Sequence, residues 1–93
     1  MINFIKQNKI TIDDAGSLTV NASNISGTIT NDGSLIYTGG ANSSAISGNG
    51  ELQLNGEITN SKSISQDVIR ITGSMENNST MSATDIYIDG QFK

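Results

Sequence analysis

The sequence predicts an all-β chain folded as a single-domain triangular β-solenoid, a parallel β-helix with a 17-residue coil and five to six coils. Three observations predict it. Five short segments alternate apolar and polar residues. Their starts fall at 17, 34, 51, 68 and 85, one fixed period with no gap. A small residue, usually Gly, closes each segment. A constant period of this length is the mark of stacked repeats, in which each unit buries its apolar side on its neighbour.

The first strand of each coil is the clearest. Frame position 2 holds Leu18, Leu35, Leu52, Ile69 and Ile86, and position 4 holds Val20, Tyr37, Leu54, Ile71 and Ile88. Apolar residues two apart, with polar residues between, make a strand with one buried face. Position 6 holds Ala22, Gly39, Gly56, Gly73 and Gly90, which reads as a corner. Alternation resumes at position 8 with Ile58, Met75 and Phe92, while the first coil offers Ile25 one place later. A third apolar point, Ile29, Ile46, Ile64 and Met81, falls at position 13 or 14. Two polar stretches separate these points. One comprises Ser26–Thr28, Ser43–Ala45, Asn60–Lys62 and Asn77–Ser79. The other comprises Asn31–Gly33, Gly48–Gly50 and Ser65–Asp67. Three strands and three corners per coil predict a triangle. At roughly 3.3 Å per residue its perimeter is at most about 56 Å, enough for inward side chains and little else. Residues 17–93 form the regular repeats. Residues 1–16 fit less well and are expected to form an irregular coil or cap, with Ile10 and Ile12 inside.

The rival readings are weaker. A helix needs apolar spacings of three and four, and Gly, Ser, Asn and Thr disfavour it. A β-sandwich need not keep a fixed frame, and the left-handed hexapeptide solenoid prefers a multiple of six.

Composition narrows the function. The net charge is −4, and Arg70 with four lysines is the whole cationic complement, so nucleic acid is not an expected partner. The chain has no Cys and no His, which removes thiolate and imidazole metal sites and Ser-His chemistry. No apolar run approaches the roughly 20 residues of a bilayer span. Met1–Lys6 lacks the apolar core of a secretory signal; read as a native start, it predicts a cytoplasmic protein.

Several residues resemble a known family. The stretch Ile46-Ser-Gly-Asn-Gly-Glu-Leu-Gln-Leu-Asn-Gly-Glu-Ile58 looks like the start of a bactofilin core. Val68–Met75, and Ser82 through Gly90, are similar to the bactofilin pattern of paired apolar residues, Gly, apolar, then a small residue before the next coil. The resemblance covers roughly residues 46–92. Where bactofilins often carry a second Gly, Asn60 and Asn77 stand nearby. Bactofilins are bacterial cytoskeletal proteins with a right-handed triangular solenoid. They polymerise end to end without nucleotide, and some attach to the inner membrane. The resemblance therefore implies a structural protein that is not an enzyme, with itself as partner and possible contact with the inner membrane surface.

Site expectations follow. No catalytic, cofactor-binding or metal-binding residue is named. Gly48-Asn49-Gly50 lacks the Lys-Ser/Thr ending and the helix of a phosphate loop, and reads as a corner. Asp13-Asp14 and Asn31-Asp32 lack the ligand count of a calcium loop and read as turns. Glu51 and Asp85 share frame position 1 two coils apart, but no sugar-stacking aromatics or cleft accompany them. The candidate polymer interface is Phe92 and Ile88 at one end, with Ile2 and Phe4 at the other. Ile2, Phe4, Ile5 and Lys6 are also the candidate membrane contact, apolar residues beside a cation; Ile2 and Phe4 fit a core cap as well. The leading function is a self-assembling cytoskeletal protein forming nucleotide-independent filaments. The alternative is a fragment of an exported adhesin or fibre, in which the solenoid is a spacer or binding rod.

Overall fold

The computed structural model describes residues 9–92 and is a β-solenoid of about five coils. Its strands are β1 (Lys9–Ile12), β2 (Ser17–Val20), β3 (Ser26–Asn31), β4 (Ser34–Tyr37), β5 (Gly40–Ser47), β6 (Glu51–Leu54), β7 (Glu57–Asn60), β8 (Ile64–Ile71), β9 (Ser74–Asn77), β10 (Met81–Ile88) and β11 (Gln91–Phe92). A 3-10 turn, Ala22–Asn24, follows β2, with Asn21 Oδ1 accepting from Ser23 N.

Among the described residues every strand pairing between coils is parallel, and the 17-residue frame is the register except where β1 meets β3 and where β5 meets β7 and β8. On the first side, Leu18, Leu35, Leu52, Ile69 and Ile86 stack in one column, and Val20, Tyr37, Leu54, Ile71 and Ile88 in another. The second side stacks Gly40, Ile58, Met75 and Phe92. The third stacks Ile10, Ile29, Ile46, Ile64 and Met81. These columns are the core. Leu35, Leu52, Leu54, Ile69, Ile71 and Met75 are fully buried, and Tyr37 lies among them.

Two details of the corners differ from the expectation. The polar stretch Ser65–Asp67 is not a corner that breaks the chain: β8 runs through it, and β10 runs through the same place one coil on. The shift of the third apolar point from position 13 to 14 explains this. In the second coil Gly39 and Gly40, at φ 146° and 101°, turn early, so Gly40 rather than Ala41 stacks on Ile58. The residue saved there is spent in the corner Gly48-Asn49-Gly50. In the next coil the first corner takes the residue back, and the strand passes the third corner unbroken.

Some residues of the polar stretches are buried as well. Asn31, Asn60 and Gln66 are inside, and so is Asn42, just before the stretch Ser43–Ala45. Backbone that turns at a corner leaves donors and acceptors pointing inward, and buried polar groups need partners. Amide side chains carry both kinds, so they fill this role.

Candidate assembly interface at the C-terminal end

The columns make every inward residue depend on the coil above it and the coil below it. The last coil has a neighbour on one side. Ile69 and Ile71 are fully buried in the penultimate coil, whereas Ile86 and Ile88, next in the same columns, are 43% and 49% exposed. Met75 is fully buried and Phe92 above it is 43% exposed. Met81 and Ala83 pack against the core from the third side and are half-buried. Together these residues form an apolar face at one end, bordered by the unpaired edge of β10. That edge is eight residues long, and unpaired N–H and C=O groups on a long edge template further pairing.

Among the described residues of the first coils, the inward Ile12, Val20, Ala22 and Ile25 are at most 7% exposed, while Ile10 and Leu18 are half-buried.

Polar ladders run inside the rod toward the same end. Tyr37 Oη donates to Asn42 Oδ1 at 2.8 Å; Asn42 Nδ2 donates to Asn60 Oδ1 at 2.7 Å, and Asn60 Nδ2 to Asn77 Oδ1 at 2.8 Å. Each Asn also ties its own corner: Ser44, Lys62 and Ser79 N–H groups donate to the three Oδ1 atoms in turn. Burial raises the Tyr37 phenol well above its ordinary range, against a smaller opposing effect of Ser44. A second network fills the third corner. Asn31 Nδ2 donates to Glu51 O at 2.9 Å and to Gln66 Oε1, and Gln66 Nε2 donates to Asn31, Gly48 and Ser65 carbonyls. Gln66 thus reaches back past Gly48 to the coil beyond. Gly48 sits at φ 117°, and a Cβ there would run into the Asn31 carbonyl.

On the outer wall, Arg70 Nε meets Glu51 Oε2 at 2.6 Å, and its guanidinium lies 4.7 Å from the Tyr87 ring centroid. The Glu51 carboxylate is thus engaged by a cation. Asp13 Oδ1 accepts from Ala15 N and Asp32 Oδ1 from Asn49 N, so these two carboxylates tie corners. Gly48–Gly50 is followed by strand β6 rather than a helix. Among the described residues no group of three His, Cys, Asp or Glu is placed to hold a metal ion, and no helix is long and apolar enough to cross a membrane.

Of the residues expected at a polymer interface, Phe92 and Ile88 lie together on the exposed end. Ile2 and Phe4, and with them the candidate membrane contact Ile2, Phe4, Ile5 and Lys6, lie outside the described residues. The sequence reading left out Ile86, Met81 and Ala83, although the first two were already in its columns. The signal was present: every inward member of the last coil loses the same neighbour. The asparagine ladder was missed too, because Asn60 and Asn77 were read only as members of the polar stretches between apolar points. Their spacing of 17 was the available sign.

No family model matches this chain, and neither a curated protein nor a solved structure does.

Proposed function

We propose that this chain is a structural protein that assembles with copies of itself end to end, without nucleotide, in the manner its resemblance to bactofilins implies. The observation that carries the reading is the apolar end formed by Ile86, Ile88 and Phe92, whose equivalents one coil earlier are fully buried. A second copy seated there would give these residues the neighbour that every other coil supplies. The exposed edge of β10 adds backbone hydrogen bonds to the apolar contact. The composition supports the same reading: without His or Cys, and with −4 net charge, the chain carries little for metal or nucleic-acid chemistry. Growth into filaments requires a second contact at the other end, for which Ile2 and Phe4 are the proposed residues. The setting we propose is the cytoplasm, with Ile2–Lys6 as the segment that meets the inner membrane surface.

Sedimentation of the purified protein across a concentration series, with electron microscopy of the same samples, tests the reading. Concentration-dependent growth in mass is expected. A monomer at every concentration, with no filaments, contradicts it.

A further inference from the structure

We infer that Asn55 is a site of spontaneous covalent modification, the deamidation of its side chain through a cyclic imide formed with the Gly56 nitrogen. Two features meet at this corner: a backbone N–H with no acceptor, and a side-chain carbonyl held by two donors.

The chain has four steps at which Asn or Asp precedes Gly: Asp32-Gly33, Asn49-Gly50, Asn55-Gly56 and Asp89-Gly90. Glycine suits the reaction because no Cβ obstructs the approach of its nitrogen to the preceding side chain. That nitrogen attacks after losing its proton, and an N–H already donated to an acceptor is held back from doing so. Three of the four are held. Gly50 N donates to Asn31 O at 2.9 Å, Gly90 N to Ile71 O at 3.2 Å, and Gly33 N to Asn31 Oδ1 at 3.1 Å. Among the described residues Gly56 N finds no such acceptor.

The coil beneath explains the exception. In the later coils the corner Gly and the residue before it donate to one carbonyl: Thr72 and Gly73 to Leu54 O, Asp89 and Gly90 to Ile71 O. At the equivalent place Asn55 N reaches Tyr37 O at 2.9 Å, without Gly56. The coil that carries Tyr37 is the one that turns early at Gly39 and Gly40, which breaks the repeat at this corner.

The electrophile is prepared as well. Asn55 is exposed, and its Oδ1 accepts from Gln53 Nε2 at 2.8 Å and from Thr72 Oγ1 at 2.7 Å. The Thr72 hydroxyl also lies 3.2 Å from Leu54 O, and its shorter contact is the one to Asn55. Donors on a carbonyl oxygen draw charge from its carbon and stabilise the oxyanion that forms there on attack. Asn49 is exposed too, but among the described residues no donor meets its side-chain oxygen.

In the reaction Gly56 N gives its proton to hydroxide and bonds to Asn55 Cγ. The bond from Cγ to the side-chain nitrogen breaks, and that nitrogen takes a proton from water and leaves as ammonia. Water then opens the imide at either carbonyl. One opening leaves aspartate at position 55. The other leaves isoaspartate, in which the backbone runs through the side chain and is one carbon longer. Each adds one negative charge to the net −4. The lengthened corner lies between the buried Leu54 and Ile58, so isoaspartate works against the register that holds both inside.

Ageing of the purified chain at mildly alkaline pH, folded and in urea, tests the assignment. Digestion after Glu51 and Glu57 puts Asn49 and Asn55 on separate peptides. Mass spectrometry reads the replacement of NH2 by OH on each, and chromatography separates isoaspartate from aspartate. Urea removes the fold and gives the reference ratio of the two rates. In the folded chain the ratio of Asn55 to Asn49 conversion should rise several-fold above that reference. Gln53→Ala and Thr72→Val, on the outer wall, should slow Asn55 and leave Asn49 unchanged. A folded-chain ratio no higher than the ratio in urea overturns the assignment. An unchanged Asn55 rate in both variants, with wild-type circular dichroism, overturns the activation by its two donors.

Discussion

Leu54 and Gln53 are neighbours in the chain and opposites in consequence. Leu54 is fully buried between Tyr37 and Ile71 of the adjoining coils, while Gln53 faces outward. Leu54→Asp should cost several kcal/mol, comparable to the whole stability of a small domain, and Gln53→Asp should cost little. Thermal melts followed by circular dichroism check the contrast; equal damage from both would contradict the inward assignment. Asn60 is the middle rung of the ladder. Asn60→Ala removes one partner each from Asn42 Nδ2, Asn77 Oδ1 and the Lys62 N–H, and should cost about 1–3 kcal/mol in a thermal melt. Tyr37 adds a pH dependence. Its folded pKa is raised by burial above the unfolded value near 10, so the folded state holds its proton where the unfolded state loses it. Its contribution is full below about pH 10 and is lost as pH climbs through the raised folded value. Urea unfolding between pH 8 and 11 should show wild-type stability falling above about pH 10, and Tyr37→Phe should flatten that part of the fall. The inward columns were legible in the sequence because alternation marks them directly. The buried amides were not, because Asn at a corner satisfies turn chemistry and ladder chemistry alike, and only their alignment between coils distinguishes the two.

At the scale of elements, strand existence was legible and corner geometry was not. A corner is set by how many residues it spends, and the 17-residue sum is unchanged when one corner lends a residue to another. The second coil makes that exchange at Gly39-Gly40 and settles it at Gly48-Asn49-Gly50, which is why Ile46 and Ile64 pair although they sit one place apart in the frame. The unbroken β8 and β10 follow from the same exchange, and so does the long edge on which the candidate interface depends. The Gly48 and Asn31 carbonyls both accept from Gln66 Nε2. Gly48→Ala adds a Cβ against the Asn31 carbonyl at a backbone angle that L-residues rarely adopt, and should destabilise by at least about 1 kcal/mol. Gly33→Ala would not serve as the control, since it too abuts backbone. Ala45→Ser, on the outward face of the same coil, should change the melting temperature little, and a comparable loss there would detach the effect from the corner.

The solenoid measures 32 × 23 × 21 Å, a block rather than a fibre, and in the proposed function filament length comes from stacking such blocks. Its last coil leaves Ile86, Ile88 and Phe92 exposed, and that apolar end carries the functional reading. The place of Phe92 and Ile88 on the exposed end was legible because the repeat frame identifies the last coil. The exposed edge of β10 was not, because it depends on a corner that the frame misplaces. Phe92 is the largest apolar group on that end, and truncating such an anchor typically costs upwards of about 2 kcal/mol of association, or roughly 30-fold in affinity. Phe92→Arg also puts a charge at a sheet end, a natural device against edge pairing. The most direct test of end-to-end assembly is sedimentation of the wild-type chain and Phe92→Arg over the same concentration series. The account predicts that the wild-type mass grows with concentration while the variant, with unchanged β-sheet signal, stays monomeric. Equal growth of both, or a wild-type monomer throughout, would contradict it.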